Sequence, residues 1–232
     1  PWNPESLLWL GCTFMLALAP GAAIAGLFED GSVAQMAANI TVLPVAILVA
    51  VTVWFQVNRR FYQSPISLAA AFGFNRNNTD RCLMLGLVTG LGLVLISMVL
   101  ALLTSQLIHA LGDQAEPQKL VTLIAEESAK KENIPTLIFF VVMAVVVAPI
   151  AEEILFRGIL YPAIKQIGYP RLAAIGTALL FALFHVNLLT FASLTVVALG
   201  LIALYEFTDN LLAPITAHAV FNASNLIMLF WQ

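Results

Sequence analysis

The chain has 232 residues, of which 61% are hydrophobic and only 10% are charged. Soluble domains carry about 25% charged residues, so this composition excludes a soluble globular protein and indicates an integral membrane protein. The formal net charge of −3 is too small to indicate binding to nucleic acid, and none is expected as a partner.

The apolar runs are long and continuous, without the alternation of a transmembrane β-barrel. We therefore predict an all-α, polytopic helical bundle that forms a single membrane domain over residues 1–232. The lipid bilayer is its expected surrounding, either the plasma or inner membrane of a prokaryote or the membrane of an organelle.

Seven apolar segments are predicted to span the membrane. In chain order they cover residues 6–28, 39–57, 82–111, 134 to the motif at 151–158, 171–186, 189–205 and 211–231. The third contains Gly86 and Gly90, whose spacing is typical of close helix packing. Basic residues concentrate at 58–81 and 157–171, which predicts a cytoplasmic location for both segments and for the N-terminus.

Residues 112–133 form the most polar stretch. Glu126/Lys130 and Glu127/Lys131 have the i,i+4 spacing of pairs on a helix surface. We predict an amphipathic helix here that lies at the membrane interface.

The fourth apolar segment contains three ionisable side chains, Glu152, Glu153 and Arg157, after fifteen uncharged residues at 136–150. Charges inside a span are costly unless they are paired or line a cavity. Glu153 and Arg157 are four residues apart and can pair on one face. Glu152 lies about 100° around the helix and lacks that partner, which suits a general base or acid. A purely structural ion pair between helices is the competing interpretation.

Two histidines lie in later apolar segments. Counted at about 1.5 Å per residue from the turns at 165–170 and 206–210, Glu152, His185 and His218 reach a similar depth of about 20 Å. Asn222 follows His218 by one helical turn. We expect these side chains to meet in one pocket. A straight helix over 134–165 would be about 46 Å long, however, and the hydrocarbon core of a bilayer is about 30 Å thick. A kink at Pro149, or a helix end that projects from the bilayer, must therefore account for the excess length.

A carboxylate, two imidazoles and a carboxamide can activate water and stabilise an oxyanion. Glu152, His185 and His218 also match a His₂Glu zinc site with an open position, and the sequence leaves Zn²⁺, another divalent metal or no metal as alternatives. The H-E-x-x-H pattern of zinc proteases is absent.

Three motifs carry a resemblance: Glu152-Glu153-x-x-x-Arg157, Phe181-x-x-x-His185 and His218-x-x-x-Asn222. Together they resemble the signature of the CPBP family of intramembrane proteases, which includes CAAX prenyl protease 2-like enzymes (type II CAAX endopeptidases) and bacteriocin-processing relatives. The resemblance covers the expected catalytic core at 134–232, while the spans within 1–133 are not diagnostic.

The resemblance implies a helical bundle with a cavity open to membrane and water. It implies that Glu152 activates water, that Glu153 pairs with Arg157, and that His185 positions the water or a metal. His218 and Asn222 would stabilise the oxyanion. The expected substrate is a membrane protein or a lipidated peptide, with prenylated CAAX proteins among the candidates.

Two other function classes are compatible with the sequence. A non-enzymatic scaffold or bacteriocin-immunity protein would use the same side chains as contacts between helices. A small transporter would use Glu152 and His185 as a proton relay, although the chain lacks the inverted repeat typical of transporters.

Overall fold

A computed structural model describes residues 4–29, 32–61, 67–74, 78–112, 122 and 134–231, which fold into helices without any strand. The helices are α1 Pro4–Ala25, α2 Val33–Phe61, α3 Leu68–Ala71, α4 Thr79–Ala110, α5 Ile134–Lys165, α6 Pro170–Phe184, α7 Leu188–Thr208 and α8 Leu212–Phe230. The predicted all-α polytopic bundle is confirmed. The predicted interfacial helix at 112–133 lies almost entirely outside the described residues.

Six of the described helices, α1, α2, α4, α5, α7 and α8, are long and apolar enough to cross a membrane. Each lies where a span was predicted. The predicted fifth span, 171–186, is instead the 15-residue helix α6. At about 22 Å, this helix is shorter than the hydrocarbon core of about 30 Å, so its C-terminal end lies at depth within the bundle.

Helix α5 runs unbroken from Ile134 to Lys165 and continues through Pro149. It leaves α-helical geometry twice, in π-helical turns at Met143–Val147 and Ile154–Leu160. Because π turns are wider and advance less per residue than α turns, they take up part of the length that a straight α-helix would have.

Close contact between α4 and α8 depends on the two glycines of the predicted small-residue face. A Cβ atom on Gly86 would lie 2.6 Å from the Cβ of Thr216, and one on Gly90 would lie 2.6 Å from the carbonyl oxygen of Ala217. No larger residue fits at either position without moving α8. The packing role predicted for these glycines is confirmed, and it places the helix that carries His218.

Charged and polar side chains join the helices at one end of the bundle. Lys165, at the end of α5, forms an ion pair with Glu206, near the end of α7. The guanidinium of Arg81, near the start of α4, lies 5.1 Å from the ring centre of Phe207. The turns after α5 and α7 therefore lie at the same end of the bundle, which is the assumption from which the depths of Glu152, His185 and His218 were counted.

The turn between α7 and α8 packs against the segment that follows α3. Gly73 has a φ of +77°, and a Cβ atom on it would overlap the carbonyl oxygen of Asp209. The backbone N–H of Leu211 donates to the carbonyl of Phe72 at 3.0 Å. This backbone contact fixes the point at which α8 begins.

Candidate functional site

The two adjacent glutamates occupy a short α-helical stretch of α5, Ala148–Glu153, between the two π turns. A π turn adds a residue to the helical repeat, and such insertions are frequent at functional sites. Here they change the direction in which side chains before and after the pair leave the helix. Glu152 and Glu153 themselves keep α-helical spacing and therefore point to different neighbours.

Glu153 is completely buried, and its Oε1 accepts a hydrogen bond from Nη1 of Arg157 at 2.7 Å. Arg157 is 1% exposed, and its Nη2 donates to the carbonyl of Ala198 on α7 at 3.1 Å. The guanidinium also lies 4.8 Å from the ring centre of Phe181 on α6. The predicted pair therefore exists, and it ties α5 to α6 and α7 as well.

His218 is buried and is oriented by Glu153. Its Nδ1 lies 2.8 Å from Oε1 of Glu153. Because Oε1 of Glu153 accepts from Arg157 and also accepts here, Nδ1 carries the hydrogen. The other ring nitrogen, Nε2, faces Oε2 of Glu152 at 3.8 Å. That separation exceeds a direct hydrogen bond, but a water about 2.8 Å from each atom can contact both.

Glu152 differs from Glu153 because it reaches a cleft. Its side chain is 14% exposed. The cleft has a volume of about 110 Å³, and its walls are mostly apolar: Leu43, Ile47, Leu155, Phe156 and Phe184 join Glu152 and His185. This volume accommodates several water molecules next to the carboxylate.

His185 lies at the C-terminal end of α6 and lines the same cleft. Its Nδ1 is 2.9 Å from the carbonyl of Phe181 in the preceding turn. A carbonyl only accepts, so the hydrogen is on Nδ1 and Nε2 is left with a lone pair that can accept from water. The next residue, Val186, has a φ of +46°, which is unusual for a β-branched side chain.

Asn222, the other predicted site residue on α8, faces the backbone of α5. Its Nδ2 donates to the carbonyl of Ala144 at 2.8 Å. One of the two amide hydrogens is therefore engaged within the protein, and the second is available to another acceptor.

A metal at Glu152, His185 and His218, one of the alternatives left open by the sequence, requires that these donors lie close together. Among the described residues, no three His, Cys, Asp or Glu side chains are close enough together to hold a metal ion. Glu152 approaches Nε2 of His218, and His185 lines the same cleft, but the three side chains do not form such a cluster. The arrangement of Glu152, His185 and His218 in this structure does not fit a three-ligand zinc site.

Sequence reasoning did not find the residues that complete the site. Leu43 and Ile47 on α2 form one wall of the cleft, and the carbonyls of Ala144 and Ala198 accept the hydrogen bonds that orient Asn222 and Arg157. Aliphatic side chains and main-chain carbonyls have no distinctive sequence pattern in a chain that is mostly apolar. Only the i,i+4 spacing of Leu43 and Ile47 could have indicated a shared face.

Residues 134–224 match a family model described as type II CAAX prenyl endopeptidase, Rce1-like. The matched segment is less than half of the chain, and it contains all the site residues predicted from the motifs. No curated protein and no solved structure matches the chain. The resemblance drawn from the three motifs is confirmed at the level of the family.

Proposed function

We propose that the chain is an intramembrane endopeptidase of the Rce1-like CAAX protease type, the family whose model residues 134–224 match, and that Glu152 activates the attacking water. The substrate would be a membrane-associated protein, with prenylated CAAX-type proteins as the leading class. The chain itself is a multi-pass membrane protein.

The observation that carries this proposal is the position of the Glu152 carboxylate. Glu153, Arg157 and His218 are buried and bonded to one another. Glu152 instead opens into a cleft with His185 and faces Nε2 of His218. A carboxylate kept available to water deep in an apolar bundle suits proton transfer better than helix packing.

The proposed hydrolysis proceeds in two steps. A water in the cleft donates one hydrogen bond to Glu152 and a second to Nε2 of His185. Glu152 takes the first proton while the water oxygen attacks the carbonyl carbon of the scissile peptide, forming a tetrahedral oxyanion. Glu152 then passes that proton to the leaving amine nitrogen as the C–N bond breaks, so the water is divided between the two products.

The oxyanion needs donors that are already oriented. We assign these to the free amide N–H of Asn222 and to Nε2 of His218, which can donate when the ring is protonated. Glu153 holds the His218 ring by its opposite nitrogen, and Arg157 holds Glu153. In this scheme Glu153 and Arg157 act through His218 and are positioning residues.

Cleavage of a fluorogenic prenylated peptide by the purified protein in lipid nanodiscs tests the assignment. We expect Glu152→Gln to lower kcat by a factor of about 10²–10⁴, the usual contribution of a general base. Glu206→Gln is the matched carboxylate control, because Glu206 is 41% exposed at the end of the bundle. Retention of wild-type cleavage in Glu152→Gln would refute the proposal.

The second histidine can be tested in the same assay. His185→Ala should lower kcat strongly, because it removes the acceptor that orients the water. His109→Ala is the matched control, since His109 is exposed at the far end of α4. Comparison of prenylated and unprenylated peptides then defines the substrate class: a lipid-dependent KM supports the CAAX-type substrate.

A non-enzymatic scaffold is the second candidate, and the internal bonding of Glu153, Arg157 and His218 favours it, because such a network also serves as a contact between helices. In a scaffold, Glu152 would have no catalytic role. Glu152→Gln would then change thermal stability but leave the biological output of the protein intact, whereas the protease proposal predicts the loss of that output.

A further inference from the structure

Pro149 removes one backbone hydrogen bond from α5, because proline has no N–H. In the π turn that precedes it, bonds reach back five residues, and the N–H of Ala148 donates to the carbonyl of Met143. The next N–H in this register would donate to the carbonyl of Ala144, but it would belong to Pro149. The Ala144 carbonyl therefore needs a donor from outside its own helix.

Asn222 supplies that donor from α8, with its Nδ2 at 2.8 Å from the Ala144 oxygen. Lipid offers no hydrogen-bond donor to a backbone carbonyl, and a side chain of a neighbouring helix is one of the ways in which a carbonyl freed by proline is bonded. Asn225, three residues further along α8, makes a contrasting contact: its Nδ2 donates to the carbonyl of Phe221 in its own helix at 2.9 Å.

Two hydrogen bonds therefore connect α5 to α8 on either side of Pro149. One joins Ala144 to Asn222, and the other joins Glu153 to His218. The segment between Ala144 and Glu153 carries Glu152, and His218 lies one turn before Asn222. Because both ends of the connection are fixed, the 3.8 Å gap between Glu152 and His218 is fixed as well.

We propose that Asn222 is a positioning residue that bonds the carbonyl left open by Pro149 and thereby sets the distance between Glu152 and His218. The inference deepens the proposed function and rests on it for its catalytic consequence. It assigns Asn222 a role in addition to the oxyanion contact implied by the family resemblance. It also explains what Pro149 does inside a membrane-spanning helix: it leaves the carbonyl of Ala144 free to accept from Asn222.

A double-mutant cycle between Asn222→Ala and Pro149→Ala tests this proposal, with Tm, kcat and KM measured for each variant. Asn222→Ala leaves the Ala144 carbonyl without its donor, and we expect a fall in Tm of about 3–8 °C together with a loss of kcat at unchanged KM. In the Pro149→Ala background the new N–H of residue 149 can bond to Ala144. We expect Asn222→Ala to lower Tm by less than half as much there. It should also lower kcat by a smaller factor, and the loss that remains is that of the oxyanion contact.

Asn225→Ala is the matched control, because it removes an asparagine whose bond stays within α8. We expect its Tm to change by no more than about 2 °C and its kcat to stay at the wild-type value. If Pro149→Ala does not fold, Asn222→Asp provides the second measurement, since a carboxylate has the same shape but no N–H. We expect it to lower Tm at least as much as Asn222→Ala, and a wild-type Tm for Asn222→Asp would overturn the proposal.

Equal losses of Tm from Asn222→Ala in both backgrounds would also overturn it. So would an equal loss of kcat in both backgrounds with no change in Tm, which would leave Asn222 as an oxyanion donor alone. If the wild-type protein cleaves no peptide, the proposed function fails, and the Tm cycle still decides whether Asn222 and Pro149 are coupled.

Discussion

Removal of the Arg157 guanidinium should destabilise the protein far more than removal of a comparable surface charge. In Arg157→Met the Glu153 carboxylate stays buried, with His218 as its remaining partner among the residues that the structure describes. The variant also loses the hydrogen bond to Ala198 and the contact with the Phe181 ring. Breaking a buried ion pair from one side costs about 3–5 kcal/mol, because the remaining charge is left uncompensated.

The exposed pair between Lys165 and Glu206 is the natural comparison, since each partner is 41% exposed. Lys165→Met should cost at most about 1 kcal/mol, because water screens and replaces that pair. Unfolding can be followed by denaturant titration in detergent micelles. The double variant Arg157→Met with Glu153→Gln should recover much of the loss, because it removes the uncompensated charge. Equal destabilisation by Arg157→Met and Lys165→Met would contradict the argument.

Three other changes test separate parts of the structure. Gly90→Ala should destabilise the protein by about 1–3 kcal/mol in the same titration, because the added Cβ would overlap atoms of α8. Gly92→Ala should instead stabilise it by about 0.5–1 kcal/mol, because the space around Gly92 is open and alanine favours the helix more than glycine does. Leu43→Trp should fill the cleft beside Glu152 and lower peptide cleavage at least tenfold; Val45→Trp, exposed on the same helix, should leave cleavage unchanged. Val186→Gly should raise stability by about 1 kcal/mol, because it releases the left-handed backbone of an exposed β-branched residue; a lower Tm for Val186→Gly would contradict that reading.

The helices were predictable because long apolar runs between polar turns have few alternatives in a membrane. The residues at which the helices begin and end were less predictable. The predicted span 39–57 corresponds to the longer helix Val33–Phe61, and the helix within the predicted span 171–186 ends at Phe184. Helix ends in an apolar chain depend on tertiary contacts, which the sequence does not display. The π turns in α5 could not be predicted, since their wider hydrogen bonding leaves no distinctive residue pattern.

Within the site, the sequence could predict only contacts between residues that are close together on the same helix. Glu153 and Arg157 are four residues apart on one helix, and their pair follows directly from that spacing. The bond from Glu153 to His218 joins residues 65 positions apart and depends on how closely α8 approaches α5. For the same reason the sequence did not indicate that Asn222 would bond to Ala144.

The contrast between Glu152 and Glu153 explains why neighbouring carboxylates can serve different purposes. A step of one residue rotates the side chain by about 100°, which is enough to move it from the centre of the bundle to the wall of the cleft. Glu153 then has Arg157 and His218 as partners, and its charge is compensated. Glu152 keeps an open oxygen 3.8 Å from His218. The hydrogen bonds that Glu153 makes therefore also hold the His218 imidazole next to Glu152. The role proposed for Glu152 as a general base would thus depend on hydrogen bonds made by its neighbour Glu153.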